Sequence, residues 1–137
     1  AALVPIGAAI QTSGADTMIA TAVVKIAGHF APIVSLGLVM IVTMTLSDVM
    51  NNTATAIVMA PIAVSIANAL QVHIDPFLMA VAVGASCSFL TPISHQNNTL
   101  VMGPGGYQFG DFIKLGLVVE LIVLLVGLPM IYYIWPM

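Results

Sequence analysis

The sequence predicts an all-α membrane protein built around two interrupted helices, and three observations carry that expectation. Of the 137 residues, 61% are hydrophobic and only 5% are charged, against roughly 25% charged in soluble domains. That leaves too little polar surface to cover a water-soluble globule. The apolar residues fall in runs of about fourteen to twenty, the lengths of half-helices and full crossings. Finally, the triplet Asn-Asn-Thr occurs twice, as Asn51-Asn52-Thr53 and Asn97-Asn98-Thr99, each time interrupting an apolar run. In hydrocarbon, an unpaired amide or hydroxyl is strongly unfavourable unless a partner or a ligand satisfies it. Two matching polar clusters at membrane depth therefore read as the two walls of one binding site.

The elements follow in order. Residues 1–10 read as the tail of a helix whose start is missing, and Gln11 to Asp16 as a polar break. Thr17 to Phe30, with Lys25 and His29 four residues apart, reads as a short interfacial helix. From Ile33 to Leu46 the chain is almost wholly apolar; fourteen helical residues rise about 21 Å, short of the roughly 30 Å hydrocarbon core. Ser47-Asp48-Val49-Met50-Asn51-Asn52 interrupts it, and a second apolar helix runs from Thr53 to Leu70. Two half-length helices around a polar tip predict a re-entrant hairpin over 33–70. One continuous helix would span more than about 50 Å, too long for a single crossing without steep tilt.

Gln71 to Pro76 is a polar turn, where His73 and Asp75 are expected to be solvated, as is His29. A discontinuous helix is expected over 77–103: apolar from Phe77 to Leu90, broken at Thr91-Pro92-Ile93-Ser94-His95-Gln96-Asn97-Asn98, and resumed for one turn before Gly103-Pro104-Gly105-Gly106. The last transmembrane helix is expected over 111–135, with Asp111 as N-cap. Tyr132, Tyr133 and Trp135 at its far end mark a membrane–water interface, and Lys114 at its near end puts the C-terminus outside if that lysine is cytoplasmic.

Charge and motifs exclude several functions. Two lysines against five acids give a net charge of -3 and no basic patch, so nucleic acid is excluded as a partner. The single cysteine, Cys87, lies between Ala85 and Phe89 and reads as core packing. There is no Gly-x-Ser-x-Gly elbow or paired catalytic aspartate, which argues against an enzyme. The glycine-rich 103–106 stretch lacks the Lys-Ser/Thr of a phosphate loop. No signal peptide is legible, and the chain begins inside an apolar segment, as expected of the C-terminal part of a longer protein.

The breaks suit ions. A helix ending in the membrane leaves free carbonyls and a negative dipole end for a small cation; a helix starting there presents N–H groups and a positive end for an anion. Leu46-Ser47 and Ile93-Ser94 end helices, while Asn52-Thr53 and Asn98-Thr99 start them. A cation and an oxyanion are thus both accounted for by neutral groups. Asp48, an intramembrane acid, is a functional candidate for proton coupling or a cap for the hairpin. His95 is a candidate pH sensor or anion donor, or else a hydrogen-bonded structural imidazole. Glu120, one to two turns into the last helix, is expected to face protein or snorkel.

These residues resemble the divalent-anion/sodium symporters, which include dicarboxylate, citrate and sulfate carriers. Ser47-Asp48-Val49-Met50-Asn51-Asn52-Thr53 is similar to that family's second hairpin-tip signature, with Asn51 where serine is usual. Thr91 to Thr99, followed by Val101 to Tyr107, is similar to the unwound segment of the next helix, with His95-Gln96 where dicarboxylate carriers often have Thr-Pro. The resemblance covers nearly the whole chain. It implies that residues 1–137 are the C-terminal repeat of a homodimeric carrier in a bacterial inner membrane, and that the two triplets line one half-site facing an absent N-terminal half. It implies sodium, the coupling ion, at Ser47, Asn52 and backbone near Met50 and Ser94. The anionic substrate is implied at Asn51, Asn52 and Thr53, with His95, Gln96 and Asn97 nearby; Asp48, Asn98 and Thr99 border the same place. No cofactor is implied.

Overall fold

A computed structural model describes residues 12–14, 18, 21–22, 32–93 and 95–136. Most of the segments expected before Pro32, with Lys25 and His29, lie outside the described residues, as does Ser94. Five helices follow: α1 (Pro32–Val49), α2 (Asn52–Leu70), α3 (Asp75–Ser86), α4 (Gln96–Gly105) and α5 (Phe109–Ile134). Among the described residues α1, α2 and α5 are long and apolar enough to cross a membrane. Helices satisfy their backbone internally, which hydrocarbon demands.

The helices before the break are longer than the sequence suggests. The reading stops the first helix at Leu46, but α1 continues through Ser47 and Asp48 to Val49. Several of its polar residues find partners without leaving the helix: Thr43 Oγ1 donates to the Val39 carbonyl at 2.6 Å, and Ser47 Oγ to the Ala85 carbonyl at 2.7 Å. At 18 and 19 residues, α1 and α2 rise about 27 and 28 Å. The half-length premise behind the hairpin is thereby corrected, because length alone allows each helix a full crossing.

The second interruption is wider than expected. α3 stops at Ser86 rather than Leu90. Cys87 is extended and its N–H closes a last tight turn on the Gly84 carbonyl at 3.1 Å. Pro92 disfavours a helical Thr91, and the serines around Cys87 offer the backbone competing hydrogen bonds. α4 resumes at Gln96 and runs past Gly103 to Gly105; Gly106 then takes the left-handed conformation (φ 64°) that ends it. α5 starts at Phe109, so Asp111 is not the N-cap but sits three residues after it, accepting from the Gln108 N–H at 2.9 Å.

The core lies between α1, α2 and α3, where Leu36, Met40, Ile66 and Phe77 are fully buried. Small residues set the close approaches, as expected where packing rather than water drives association. A Cβ on Gly84 of α3 would stand 3.0 Å from the Thr43 Cβ and 3.1 Å from the Met40 carbonyl oxygen. Cys87 is buried against this core, as its apolar neighbours suggest. α5 packs on α1 and α3 and buries only Gly116 and Ile131, leaving one long apolar face exposed. α4 packs on none of the other described helices.

Candidate functional site

The hairpin interruption is short: only Met50 and Asn51 separate α1 from α2. The Met50 N–H still bonds the Leu46 carbonyl at 2.8 Å. Asn51 caps α2, its Oδ1 accepting the Ala54 N–H at 2.7 Å. That cap satisfies one of the orphan donors at a helix start. The Asn51 side chain is therefore partly committed to the fold, while Thr53 is exposed.

Asn52 turns inward. Its Oδ1 accepts from Ser47 Oγ at 3.2 Å and from Ser88 Oγ at 3.3 Å. The shorter bond of Ser47 runs to the Ala85 carbonyl. Ser47 is 0% exposed and Ser88 2%. Four neutral oxygens from α1, α2, α3 and the stretch that follows it thus converge at the tip. An all-oxygen set of this kind suits a hard cation rather than a soft metal.

In the non-helical stretch after α3, side chains take the place of helix for the backbone of Ser88, Leu90, Thr91 and Pro92. Asn98 Nδ2 donates to the Ser88 carbonyl at 3.4 Å and the Thr91 carbonyl at 3.3 Å. Thr99 Oγ1 donates to the Pro92 carbonyl at 2.6 Å. His95 caps α4, its Nδ1 accepting the Asn97 N–H at 3.3 Å; this is the structural role weighed for it. Gln96 and Asn97 are exposed beside that cap. Ser88 joins the two triplets, touching Asn52 through its hydroxyl and Asn98 through its carbonyl.

Two acids meet beside these breaks. Asp48 is 5% exposed, and its Oδ1 accepts the Leu90 N–H at 3.0 Å. Its Oδ2 and Glu120 Oε1 are buried with no hydrogen-bond donor among the described residues, although the two carboxyl groups lie within hydrogen-bonding reach of each other. Ionised carboxylates only accept, so the pair closes only around a proton or another cation. Gly116, one turn before Glu120, makes the meeting possible: a Cβ there would overlap the Phe89 carbonyl. Glu120 lies about three turns into α5, deeper than the sequence suggests, because α5 starts earlier.

Sequence reasoning missed Ser88, Thr91 and the Asp48–Glu120 contact. Ser88 was hidden because the helix was carried to Leu90; the only signal was the run of small polar residues Ser86-Cys87-Ser88 inside an apolar stretch. A cavity of about 270 Å³ lies between the break, α4 and the start of α5, lined by Phe89, Asn98, Val101, Tyr107 and Phe112 among others. Its largely apolar walls suit no oxyanion.

Comparison with known proteins gives a concordant picture. The family model described as "Citrate transporter" matches residues 1–137. The chain is 39% identical over 134 residues to an uncharacterized transporter, YfbS, of Escherichia coli, covering 98% of this chain and 22% of that protein. It is 31% identical over 117 residues to sodium/sulfate cotransporter 1 of Chlamydomonas reinhardtii, covering 85% of this chain and 13% of the relative. Against the sodium-dependent dicarboxylate transporter SdcS of Staphylococcus saprophyticus it is 26% identical over 112 residues, covering 82% of this chain and 22% of the relative. The chain therefore spans about a fifth of the curated relatives it matches.

Proposed function

This chain belongs to the citrate transporter family, and from that premise we propose that it is part of a cation-coupled secondary carrier of a small divalent oxyanion, a dicarboxylate or sulfate, with sodium as the coupling ion. The observation that carries the reading is the convergence of Ser47 Oγ, Asn52 Oδ1, Ser88 Oγ and the Ala85 carbonyl at a helix interruption. A monovalent cation there exchanges hydrogen-bond partners for the same oxygens' lone pairs. Relatives bearing the names sodium/sulfate cotransporter and sodium-dependent dicarboxylate transporter support the choice of ion and substrate class.

The anion takes the other face of the same breaks. Asn51, Asn52 and Thr53 open α2, and His95, Gln96 and Asn97 open α4, so two positive helix ends accompany exposed amides and a hydroxyl. Binding is reciprocal: the cation orders the tip, the tip orders the anion's donors, and each raises the other's affinity. The family resemblance adds backbone near Met50 and Ser94 to the cation's proposed ligands. This half-site faces a second, N-terminal repeat of the same protein, in a homodimer of the bacterial inner membrane with the C-terminus outside. Alternating access moves hairpin and broken helix as one body against a scaffold.

The deciding experiment is uptake of labelled succinate and labelled sulfate by vesicles holding the complete protein, with sodium replaced by choline. Uptake of one anion that collapses in choline is the expected result; uptake of neither, or indifference to sodium at every pH, defeats the reading. A proton-coupled carrier is the second reading, favoured by the facing carboxyls of Asp48 and Glu120. It predicts uptake in choline that follows an imposed pH gradient.

A further inference from the structure

Thr91 sits midway along the unwound stretch, half-buried. Its hydroxyl donates to the Asp48 carbonyl at 2.6 Å, and its own carbonyl accepts from Asn98 Nδ2 at 3.3 Å. The Asp48 carbonyl is one of the last in α1, which a helix leaves without an internal donor; the chain turns away at Met50 and Asn51 before one can arrive. Thr91 therefore fastens the carbonyl end of α1, beside the cation's oxygens, to the first turn of α4, beside the anion's donors. Because α4 packs on no other described helix, polar bonds of this kind fix where Gln96 and Asn97 stand. Ser88 bridges the same two elements, but its hydroxyl belongs to the oxygen cluster itself; the Thr91 hydroxyl reaches α1 through the Asp48 carbonyl instead.

We propose that Thr91 is a positioning residue that transmits cation occupancy at the hairpin tip to the anion-facing turn of α4, along the path from the Asp48 carbonyl through Thr91 to Asn98. This inference rests on the carrier reading above. A cation at the tip orders the carbonyl end of α1; the Thr91 hydroxyl is held by that end, and the Thr91 carbonyl holds Asn98. With the hydroxyl removed, the tip still has its oxygens and α4 still has its caps, but the two lose their shared register.

The test uses the full-length carrier, purified, with hydrogen exchange measured in sodium chloride and in choline chloride. In the unaltered protein, sodium slows exchange in peptides covering 47–55 and 95–102, the latter by about tenfold, within the usual range of site-to-site coupling. Thr91→Val keeps the side-chain shape and loses the donor: sodium still protects 47–55 but leaves 95–102 within twofold of its choline value, roughly the loss of that coupling. Thr91→Ser restores protection of both. Asn98→Ala removes the bonds to both the Thr91 and the Ser88 carbonyls and is expected to give the same pattern, so that protection surviving there counts against the path even where a Thr91→Val protein does not assemble. Protection of 95–102 surviving in Thr91→Val, or in Asn98→Ala, overturns the proposal. Absence of sodium protection at 47–55 in the unaltered protein instead overturns the sodium reading on which it stands.

Discussion

The two Asn-Asn-Thr triplets share a sequence and differ in what they do. At the hairpin tip the interruption is two residues long, and the helices on either side are full length and packed in the core. There the first asparagine caps a helix and the second turns inward as an acceptor for two serine hydroxyls. In the broken helix the interruption runs from Cys87 to His95, a histidine does the capping, and the asparagine and threonine of the triplet act as donors to stranded carbonyls. At the tight tip the asparagine accepts from hydroxyls; a long unwound stretch needs donors for its carbonyls to survive in hydrocarbon. Identical residues thus accept hydroxyl hydrogen bonds in one place and satisfy stranded backbone carbonyls in the other.

That contrast is open to attack, most forcefully at Asn52. Asn52→Ala in the complete carrier is expected to abolish sodium-dependent uptake with membrane insertion intact; normal uptake by the variant would remove the tip from the site. Next in size is Gly116, where the break lies against α5. Gly116→Val forces the Phe89 carbonyl away and is expected to destabilise the protein by about 1–3 kcal/mol, seen as a lower melting temperature in detergent; an unchanged melt would mean that the break does not dock there. Ser88 comes third. Ser88→Ala should raise the half-saturating sodium concentration about tenfold, the loss of roughly one hydrogen bond's worth of binding, whereas Ser86→Ala should leave it unchanged, since Ser86 only bonds back to the Ala82 carbonyl at 2.8 Å. Equal effects of the two serines would erase the distinction between ligand and scaffold. The smallest effect, of opposite sign, is expected at Gly103 in α4, where a Cβ meets nothing within 4 Å: Gly103→Ala should stabilise by about 0.5–1 kcal/mol through helix propensity, and a falling melt would reveal a neighbour.

Much of this was legible in the residues themselves. The apolar runs give α1, α2, α3 and α5, the triplets mark both interruptions, and Cys87 reads correctly as buried. The helix ends were not legible. Ser47 and Asp48 look like loop residues by composition, yet remain helical because Ala85 and Leu90, about forty residues away, supply their partners. Conversely Cys87, Phe89 and Leu90 look helical and are not, because Ser88 and Thr91 are claimed by the hairpin. Long-range hydrogen bonds override local pattern at both interruptions, and no period in the sequence reports them. The Asp48–Glu120 contact was illegible for the same reason: it depends on Gly116 admitting a strand from elsewhere.

α4 hangs from the fold by side-chain bonds while its first turn, Gln96 and Asn97, faces outward with no core beneath it. Exchanging those residues therefore disturbs almost nothing that holds the helices together. If the proposed carrier reading holds, such a turn can be rewritten for a different anion without disturbing the oxygens proposed for the cation, so cargo and coupling ion become separable at a single pendant helix.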